Sequence, residues 1–96
     1  MLHLIFQSPI DIAVLDRMGS GDVAVFLENA VLGLLQKGKF ANLLNNQLNM
    51  NRLCVLSEDI EVRGILTSEL VSGLEVIDYA GLVNLTVENP LIMSWC

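Results

Sequence analysis

The stretch VAVFL, residues 23–27, is a continuous apolar run in which no polar side chain alternates with an apolar one. A strand with one face in water alternates polar and apolar side chains, whereas a strand of a parallel sheet is covered on both faces and stays apolar throughout. Residues 52–56, RLCVL, have the same character after their first residue. The two runs therefore predict strands of a parallel sheet that is buried on both faces.

Segments on either side of these runs alternate between strand-like and helix-like patterns. The other strand-like segments are residues 2–6, 74–77 and, as a short edge strand, 91–95. Helical spacing occurs in residues 12–18, 30–35, part of 39–51, 58–63 with Ser57 as predicted N-cap, and between Asp78, another predicted N-cap, and Pro90. This alternation predicts one small α/β domain over residues 1–96, with a mostly parallel sheet of four or five strands and helices on both faces.

The composition is too apolar for a small protein that stays alone in water. Apolar residues make up 53% of the 96 residues, the mean hydropathy is +0.58, and charged residues reach only 17%, against roughly 25% in soluble domains. No run approaches the roughly 18 apolar residues of a membrane span, so we expect a protein interface to cover the excess. Residues 1–10 lack the features of a secretion signal, which predicts a cytoplasmic location.

The charge balance and the scarcity of ligands disfavour several classes of site. Five basic and eleven acidic residues give a net charge of −6, which argues against direct nucleic-acid binding, because such affinity rests on Lys and Arg. One His and two distant Cys have no metal-ligand spacing. Gly19-Ser20-Gly21 follows a predicted helix and precedes a strand, the reverse of a phosphate-binding loop. The sequence therefore predicts no metal and no cofactor.

Cys54 and Cys96 are the two candidates for nucleophilic chemistry, and both are expected to be free thiols. Cys54 lies in a predicted parallel strand, near the edge where open α/β sheets place their chemistry. Its neighbours Leu53, Val55 and Leu56 favour instead a buried thiol that behaves as a small apolar residue. Cys96 is the last residue, where the adjacent carboxylate disfavours a thiolate. Both are weak candidates for sulfur handling, and no catalytic residue is predicted.

Three large side chains are the best candidates for the predicted interface. Tyr79, Met93 and Trp95 are of the residue types that are enriched in interface cores. His3 lies among apolar neighbours of the first strand and is predicted to be a packed, hydrogen-bonded histidine, not a catalytic base. The acidic residues 58–59 begin a predicted helix, where they are expected to stabilise its dipole.

Short matches along the chain resemble the TusB/DsrH family. They are Met1-Leu2-His3 with Ser8-Pro9, Val55-Leu56 with Glu58-Asp59, Arg63-Gly64, Asp78-Tyr79, Leu85-Thr86 and Trp95. Because they span nearly the whole chain at the family's spacing, they are more specific than any single motif. One junction departs from the family: Glu28-Asn29-Ala30-Val31 stands where Gln-Asp-Gly-Val is common, which removes the glycine that a tight turn would use.

The resemblance implies a small DsrE-like α/β fold and a hetero-oligomer of three related subunits, TusB, TusC and TusD or DsrH, DsrF and DsrE. In this family the sulfur-carrying Cys belongs to the TusD/DsrE-type subunit, and Cys54 lies about two residues out of register with it. The resemblance therefore implies a non-catalytic structural subunit with TusC/DsrF-like and TusD/DsrE-like partners. Their complex would pass persulfide sulfur toward 2-thiolation of the wobble uridine of certain tRNAs.

Three other functions stay open from the sequence. A DsrEFH-type subunit would serve dissimilatory sulfur oxidation. A sulfur-carrier role would require an accessible, low-pKa thiolate at Cys54 or Cys96. A stand-alone, homo-oligomeric ligand-binding domain would use the carboxyl edge of the sheet as its pocket.

Overall fold

Five parallel strands form one sheet in the part of the chain that the structure, a computed structural model, describes, namely residues 1–7, 12–38 and 41–95. The strands are β1 (Leu2–Ile5), β2 (Val23–Phe26), β3 (Arg52–Leu56), β4 (Glu75–Ile77) and β5 (Ile92–Trp95). Their order across the sheet is β4-β3-β2-β1-β5, and each neighbouring pair is parallel. The predicted parallel sheet is confirmed, and the two apolar runs supply β2 and β3 in its interior.

Helical segments connect successive strands, as parallel neighbours require. They are α1 (Ile12–Asp16), a 3₁₀ helix (Glu28–Leu34), α2 (Ala41–Leu48), α3 (Ser57–Val62), a short 3₁₀ helix (Thr67–Glu69) and α4 (Tyr79–Glu88). The predicted α/β architecture is thus confirmed. The matched pair Ser8-Pro9 and the candidate Cys96 lie outside the described residues.

Two of the predicted helix starts have different outcomes. Asp78 caps α4 as predicted, and its carboxylate accepts a hydrogen bond from the N–H of Gly81 at 2.8 Å. The prediction that Ser57 caps α3 is wrong, because Ser57 is the first residue of the helix. Its hydroxyl donates to the carboxylate of Glu58 at 3.1 Å, and α3 has no side-chain cap hydrogen bond.

The helix predicted over residues 30–35 forms as a 3₁₀ helix that begins earlier, at Glu28. The N–H of Ala30 bonds to the carbonyl of Leu27, three residues back, at 3.1 Å, which is the 3₁₀ pattern. Val31 and Gly33 lower the α-helix propensity of this segment. We attribute the tighter helix to that low propensity.

The two faces of the sheet carry separate apolar clusters. One face, called the α4 face below, presents Leu2, Val25, Cys54 and Leu56 to Leu85 of α4. The opposite face packs against α1, α2, α3 and the longer 3₁₀ helix. Its cluster includes Ile5, Ala24, Phe26, Leu53 and Val55 of the strands, with Val14, Leu15, Val31, Leu34, Leu44 and Ile60 of the helices. The predicted cover of helices on both faces is confirmed.

The α4 face is covered less completely than the opposite face. Five strands roughly 4.8 Å apart make a sheet about 20 Å wide, while a helix with its side chains is about 10 Å across. Among the described helices, α4 is the one that packs on this face. Leu4 and Phe6 accordingly stay only partly buried, and Ile92 is 46% exposed. Part of the excess apolar surface inferred from composition therefore lies here.

Candidate functional site

Cys54 is sealed in the apolar cluster of the α4 face. It is fully buried in β3, with Val25 on the neighbouring strand β2 as its register partner. Burial, and to a lesser extent the charge of Glu75, raise the pKa of the thiol to about 11, against a lowering effect of Arg52. A thiol in this environment stays protonated near neutral pH and is out of contact with solvent. The buried-thiol interpretation of the sequence is confirmed for Cys54.

His3 bridges the first and last strands through a hydrogen-bonded chain. The indole Nε1–H of Trp95 donates to Nδ1 of His3 at 3.1 Å, and Nε2 of His3 lies 3.0 Å from Oδ2 of Asp22. An indole nitrogen can only donate, so Nδ1 of His3 must be the acceptor. Nε2 of His3 therefore carries the proton and donates the hydrogen bond to Asp22. The imidazole is 2% exposed. The prediction of a packed, hydrogen-bonded histidine is confirmed.

Asp22 collects several donors at the amino edge of the sheet. The hydrogen bond from His3 is the largest cause of a pKa lowered to about 2; the N–H of Gly19 and the amino group of Met1 lower it as well, against a raising effect of burial. Gly19 and Met1 donate to its carboxylate at 3.0 and 3.1 Å. The side-chain amide of Asn51 holds the same loop, donating to the carbonyl of Gly19 at 2.7 Å. This cluster fixes the start of β2. The N–H of Gly19 is already bonded to the carboxylate of Asp22.

A cleft opens at the carboxyl edge of the sheet, the edge where open α/β sheets bind ligands. It lies beside the ends of β1, β2 and β3 and the start of α4, and it encloses about 280 Å³. Its lining residues are Leu4, Phe6, Leu27, Glu28, Leu56, Asp59, Tyr79 and Leu82. The walls are therefore mostly apolar, with two carboxylates and one phenol as the polar groups.

Glu28 has the most unusual backbone in the cleft. Its φ is +53°, the left-handed region, and among the described residues it is the one that adopts positive φ without being glycine. The N–H of Glu28 donates to Oδ2 of Asp59, on α3, at 2.7 Å. Its own carboxylate is exposed and has no hydrogen-bond or ion-pair partner within the described ranges. The cleft therefore presents one negative charge that no described residue compensates, on a backbone held by Asp59.

Asp59 of α3 and Arg63, the residue that follows this helix, hold the junction that comes after β2. Nε and Nη2 of Arg63 donate to Oδ1 of Asn29 at 3.1 and 2.9 Å. Nη1 of Arg63 donates to the carbonyl of Asp59 at 3.0 Å and lies 3.6 Å from its carboxylate. The acidic residues 58–59 were predicted to serve the dipole of their own helix, but Asp59 has a longer-range role as well. Its carboxylate fixes Glu28 while Arg63 offsets its charge.

The departure from the family pattern at residues 28–31 has a structural explanation. Ala30 occupies the position where the family often has glycine, and it is fully buried inside the 3₁₀ helix. Positive φ falls two residues earlier, at Glu28. The missing glycine therefore removes no backbone freedom that this junction uses.

The three predicted interface residues have different environments. Tyr79 is 57% exposed and lines the cleft, and Met93 is 43% exposed on the edge strand β5. Trp95 is half-buried, with its indole bonded to His3 and the guanidinium of Arg17 5.7 Å from its ring centre. Their role as interface residues stays a prediction.

The sequence reasoning missed an exposed stripe on α4. Tyr79, Val83 and Val87 follow one another at four-residue intervals, and they are 57%, 58% and 78% exposed. Side chains at this spacing lie on one face of a helix. The spacing was visible in the sequence, but it does not by itself tell an outward stripe from a buried one. The stripe extends the apolar surface of the cleft along α4.

Neither a candidate metal centre nor a membrane-spanning helix occurs among the described residues. Over residues 1–7, 12–38 and 41–95, no three His, Cys, Asp or Glu side chains are grouped so as to hold a metal ion. None of the described helices has the length and hydropathy to cross a bilayer.

Fold and site together define a small parallel α/β protein with a sealed thiol and an open cleft at the carboxyl edge of its sheet. Two solved structures share the fold. A protein of unknown function from Methanobacterium thermoautotrophicum, MTH1491, has a TM-score of 0.78 at 14% identity, with 98% of this chain and 96% of that chain covered. The ychN protein of E. coli has a TM-score of 0.75 at 15% identity, with 98% and 97% covered.

Sequence comparison is more specific. A family model described as DsrH like protein matches residues 6–91, and the chain belongs to this family. Protein TusB of Enterobacter sp. (strain 638) is 35% identical over 98 aligned residues, 99% of this chain and 100% of the relative. Protein TusB of Escherichia coli (strain K12) is 34% identical with the same coverage, and that of Cronobacter sakazakii is 33% identical. The TusB/DsrH resemblance read from the sequence is confirmed.

Proposed function

We propose that this chain is a structural, non-catalytic subunit of a cytoplasmic TusBCD-like sulfur-relay complex. A TusD/DsrE-like partner carries the persulfide, a TusC/DsrF-like subunit completes the hetero-oligomer, and the sulfur goes toward 2-thiolation of the wobble uridine of tRNA. Membership in the DsrH-like family supports the complex. The full-length similarity to proteins named TusB favours the tRNA branch over a DsrEFH-type role in sulfur oxidation.

The burial of Cys54 is the observation that carries the non-catalytic half of the proposal. In a relay step a thiolate attacks the terminal sulfur of a persulfide, the S–S bond breaks, and the donor leaves as a thiolate. The acceptor must therefore be reachable and ionised. Cys54 is fully buried, and its pKa is raised to about 11. It satisfies neither requirement.

The exposed apolar surface supports the need for partners. Tyr79 and Met93 are proposed as interface residues, together with Trp95, which lies on the same edge strand as Met93 and is bonded to His3. The net charge of −6 disfavours direct contact with RNA. Any tRNA contact is therefore assigned to another component of the pathway.

Complementation tests this function directly. A bacterial strain that lacks its own TusB is supplied with this chain and with the TusC- and TusD-like subunits from the same organism. Recovery of 2-thiolated uridine in hydrolysed tRNA, measured by mass spectrometry, is the readout. The double variant Cys54→Ala, Cys96→Ala should restore thiolation as well as the wild-type chain does.

Two results would contradict the proposal in different ways. No restoration by the wild-type set of subunits would remove the assignment to tRNA thiolation. Restoration by the wild type but not by a folded double-alanine variant would replace the structural role with a carrier role.

A further inference from the structure

We propose that the cleft at the carboxyl edge is a docking site for an arginine side chain of a partner subunit, with Glu28 as its counter-charge. The inference rests on the proposed function, which supplies the TusC- and TusD-like partners. It goes further by assigning the contact point and the chemistry of the group that fills it.

The size of the cleft fits a side chain better than a cofactor. Its volume is about 280 Å³, just below the range of roughly 300–1,000 Å³ that small-molecule sites occupy. Leu4, Phe6 and Leu82 supply apolar walls that are only partly buried in this chain. The methylene stem of a long side chain can lie along such walls and keep its charged end at the rim.

The charges at the rim select a cation. The carboxylate of Asp59 already accepts the N–H of Glu28 and lies near Arg63. The carboxylate of Glu28 has no such partner within the described residues, and it is exposed beside apolar walls. A cationic group brought there by a partner subunit meets an unpaired carboxylate. Exclusion of water from the contact strengthens the attraction between the two charges.

The geometry favours arginine over lysine. A guanidinium is planar, binds a carboxylate through two N–H groups and stacks on aromatic rings, and it is less strongly hydrated than an ammonium. Tyr79 and Phe6 line the same cleft as Glu28. The cleft thus combines aromatic rings and one unpaired carboxylate, the two kinds of group with which a guanidinium pairs.

The surface around the cleft points to a protein as the source of that side chain. Val83 and Val87 continue the apolar stripe along α4 from Tyr79, and both are more than half exposed. A small molecule that fills 280 Å³ would leave this stripe in water. A partner surface covers cleft and stripe together, and arginine and tyrosine are among the side chains that dominate such contacts.

The backbone of Glu28 is held before any partner arrives, although its exposed carboxylate is not. Its backbone is held in the left-handed region, and its N–H is bonded to Asp59, which Arg63 in turn holds. With the backbone already held, only the side chain of Glu28 loses conformational entropy on binding. Glu28 is therefore suited to act as a docking point.

Subunit exchange in the co-expressed three-subunit complex tests the proposal. Release of this chain is followed by mass spectrometry after mixing the complex with excess isotope-labelled free chain. Glu28→Lys reverses the charge and Glu28→Gln removes it at nearly constant size, while Tyr79→Ala removes the aromatic wall. We expect about tenfold faster release or more for Glu28→Lys and Tyr79→Ala, and a smaller increase for Glu28→Gln.

The matched control is Glu61→Lys, which makes the same charge change on an exposed residue of α3 that does not line the cleft. It should release at the wild-type rate, and all variants should keep the wild-type unfolding midpoint. Arginines of the partners are then changed to glutamate one at a time in the Glu28→Lys background. One of these charge swaps should restore slow release and so identify the docked residue.

Three outcomes would overturn the proposal, and they are distinguishable. If the wild-type chain forms no complex with the TusC- and TusD-like subunits, the proposed function fails and the docking site with it. If the complex forms and Glu28→Lys and Tyr79→Ala release like the wild type, the function stands and the docking site fails. The docking site also fails if native mass spectrometry finds a bound small molecule that Glu28→Lys removes without changing release.

Discussion

The indole Nε1–H of Trp95 donates a hydrogen bond to Nδ1 of His3 at 3.1 Å, joining side chains 92 positions apart in the sequence. Their rings are nearly parallel, with centres 6.3 Å apart. The bond ties the edge strand β5 to β1 and sets the tautomer in which His3 donates to Asp22. Trp95, which composition suggested as an interface residue, thus also stabilises the fold of its own chain.

Removing the indole donor should destabilise the fold. In Trp95→Phe the ring still packs, but Nδ1 of the buried His3 loses its donor, which costs about 1–2 kcal/mol of the free energy of unfolding. Met93→Leu, on the same strand, is the control and should change it by less than about 0.5 kcal/mol. Urea unfolding measures both variants. Equal stability of Trp95→Phe and the wild type would show that the bond contributes nothing.

Asp22 should make stability fall in acid. Its pKa is about 2 in the folded state against an ordinary 3.8, so the unfolded chain takes up the proton first as the pH falls. The contribution of Asp22, up to about 2 kcal/mol, is fully present above pH 4 and is lost between about pH 4 and pH 2.

Asp22→Asn isolates that contribution, because asparagine can still accept from His3 but does not titrate. It should be less stable than the wild type at pH 7 and lose less stability between pH 4 and pH 2, as followed by urea unfolding at each pH. Asp16→Asn, at an exposed position of α1, should keep the wild-type profile. Parallel curves for the wild type and Asp22→Asn would contradict the assigned role.

Cys54 should be unreactive until the protein unfolds. In a Cys96→Ala background, a thiol reagent at pH 8 should modify Cys54 at a rate set by unfolding, because the side chain is fully buried and its pKa is raised to about 11. The rate should rise with urea through the unfolding transition. Modification of the folded protein as fast as of the chain in high urea would show that the thiol is accessible.

Relief of the positive φ at Glu28 should stabilise the chain. Glycine adopts φ near +53° without the cost of roughly 1–2 kcal/mol that an L side chain bears there, against a loss of about 0.5–1 kcal/mol for its greater freedom when unfolded. Glu28→Gly should therefore gain up to about 1 kcal/mol. Glu61→Gly, inside α3, should lose about 0.5 kcal/mol. Thermal unfolding measures the change in stability of both variants. A loss of stability in Glu28→Gly would mean that the backbone at Glu28 is not strained.

Local pattern was enough to predict the sheet. Each of the five strand-like segments contains a strand. In a chain this small, a short, uninterrupted apolar run has few alternatives to forming a buried strand. The cap at Asp78 depends on a hydrogen bond to Gly81, three residues away, and it was predicted correctly. Such features are encoded within a few residues of one another.

The features that shape the candidate site depend on distant residues and were not predicted. Glu28 is held by Asp59, 31 positions away, and no local preference places glutamate in the left-handed region. The difference between the covered and open parts of the α4 face depends on how many helices pack there. Hydropathy predicted that apolar surface is left over, but only the packed structure locates it beside the cleft.

Intact-mass analysis of the reconstituted three-subunit complex, after incubation with a persulfide donor, tests the central claim most directly. The claim predicts a one-sulfur increase on the TusD-like subunit and an unchanged mass for this chain. A one-sulfur increase on this chain that is lost in Cys54→Ala or in Cys96→Ala would contradict the structural role and make the chain a carrier.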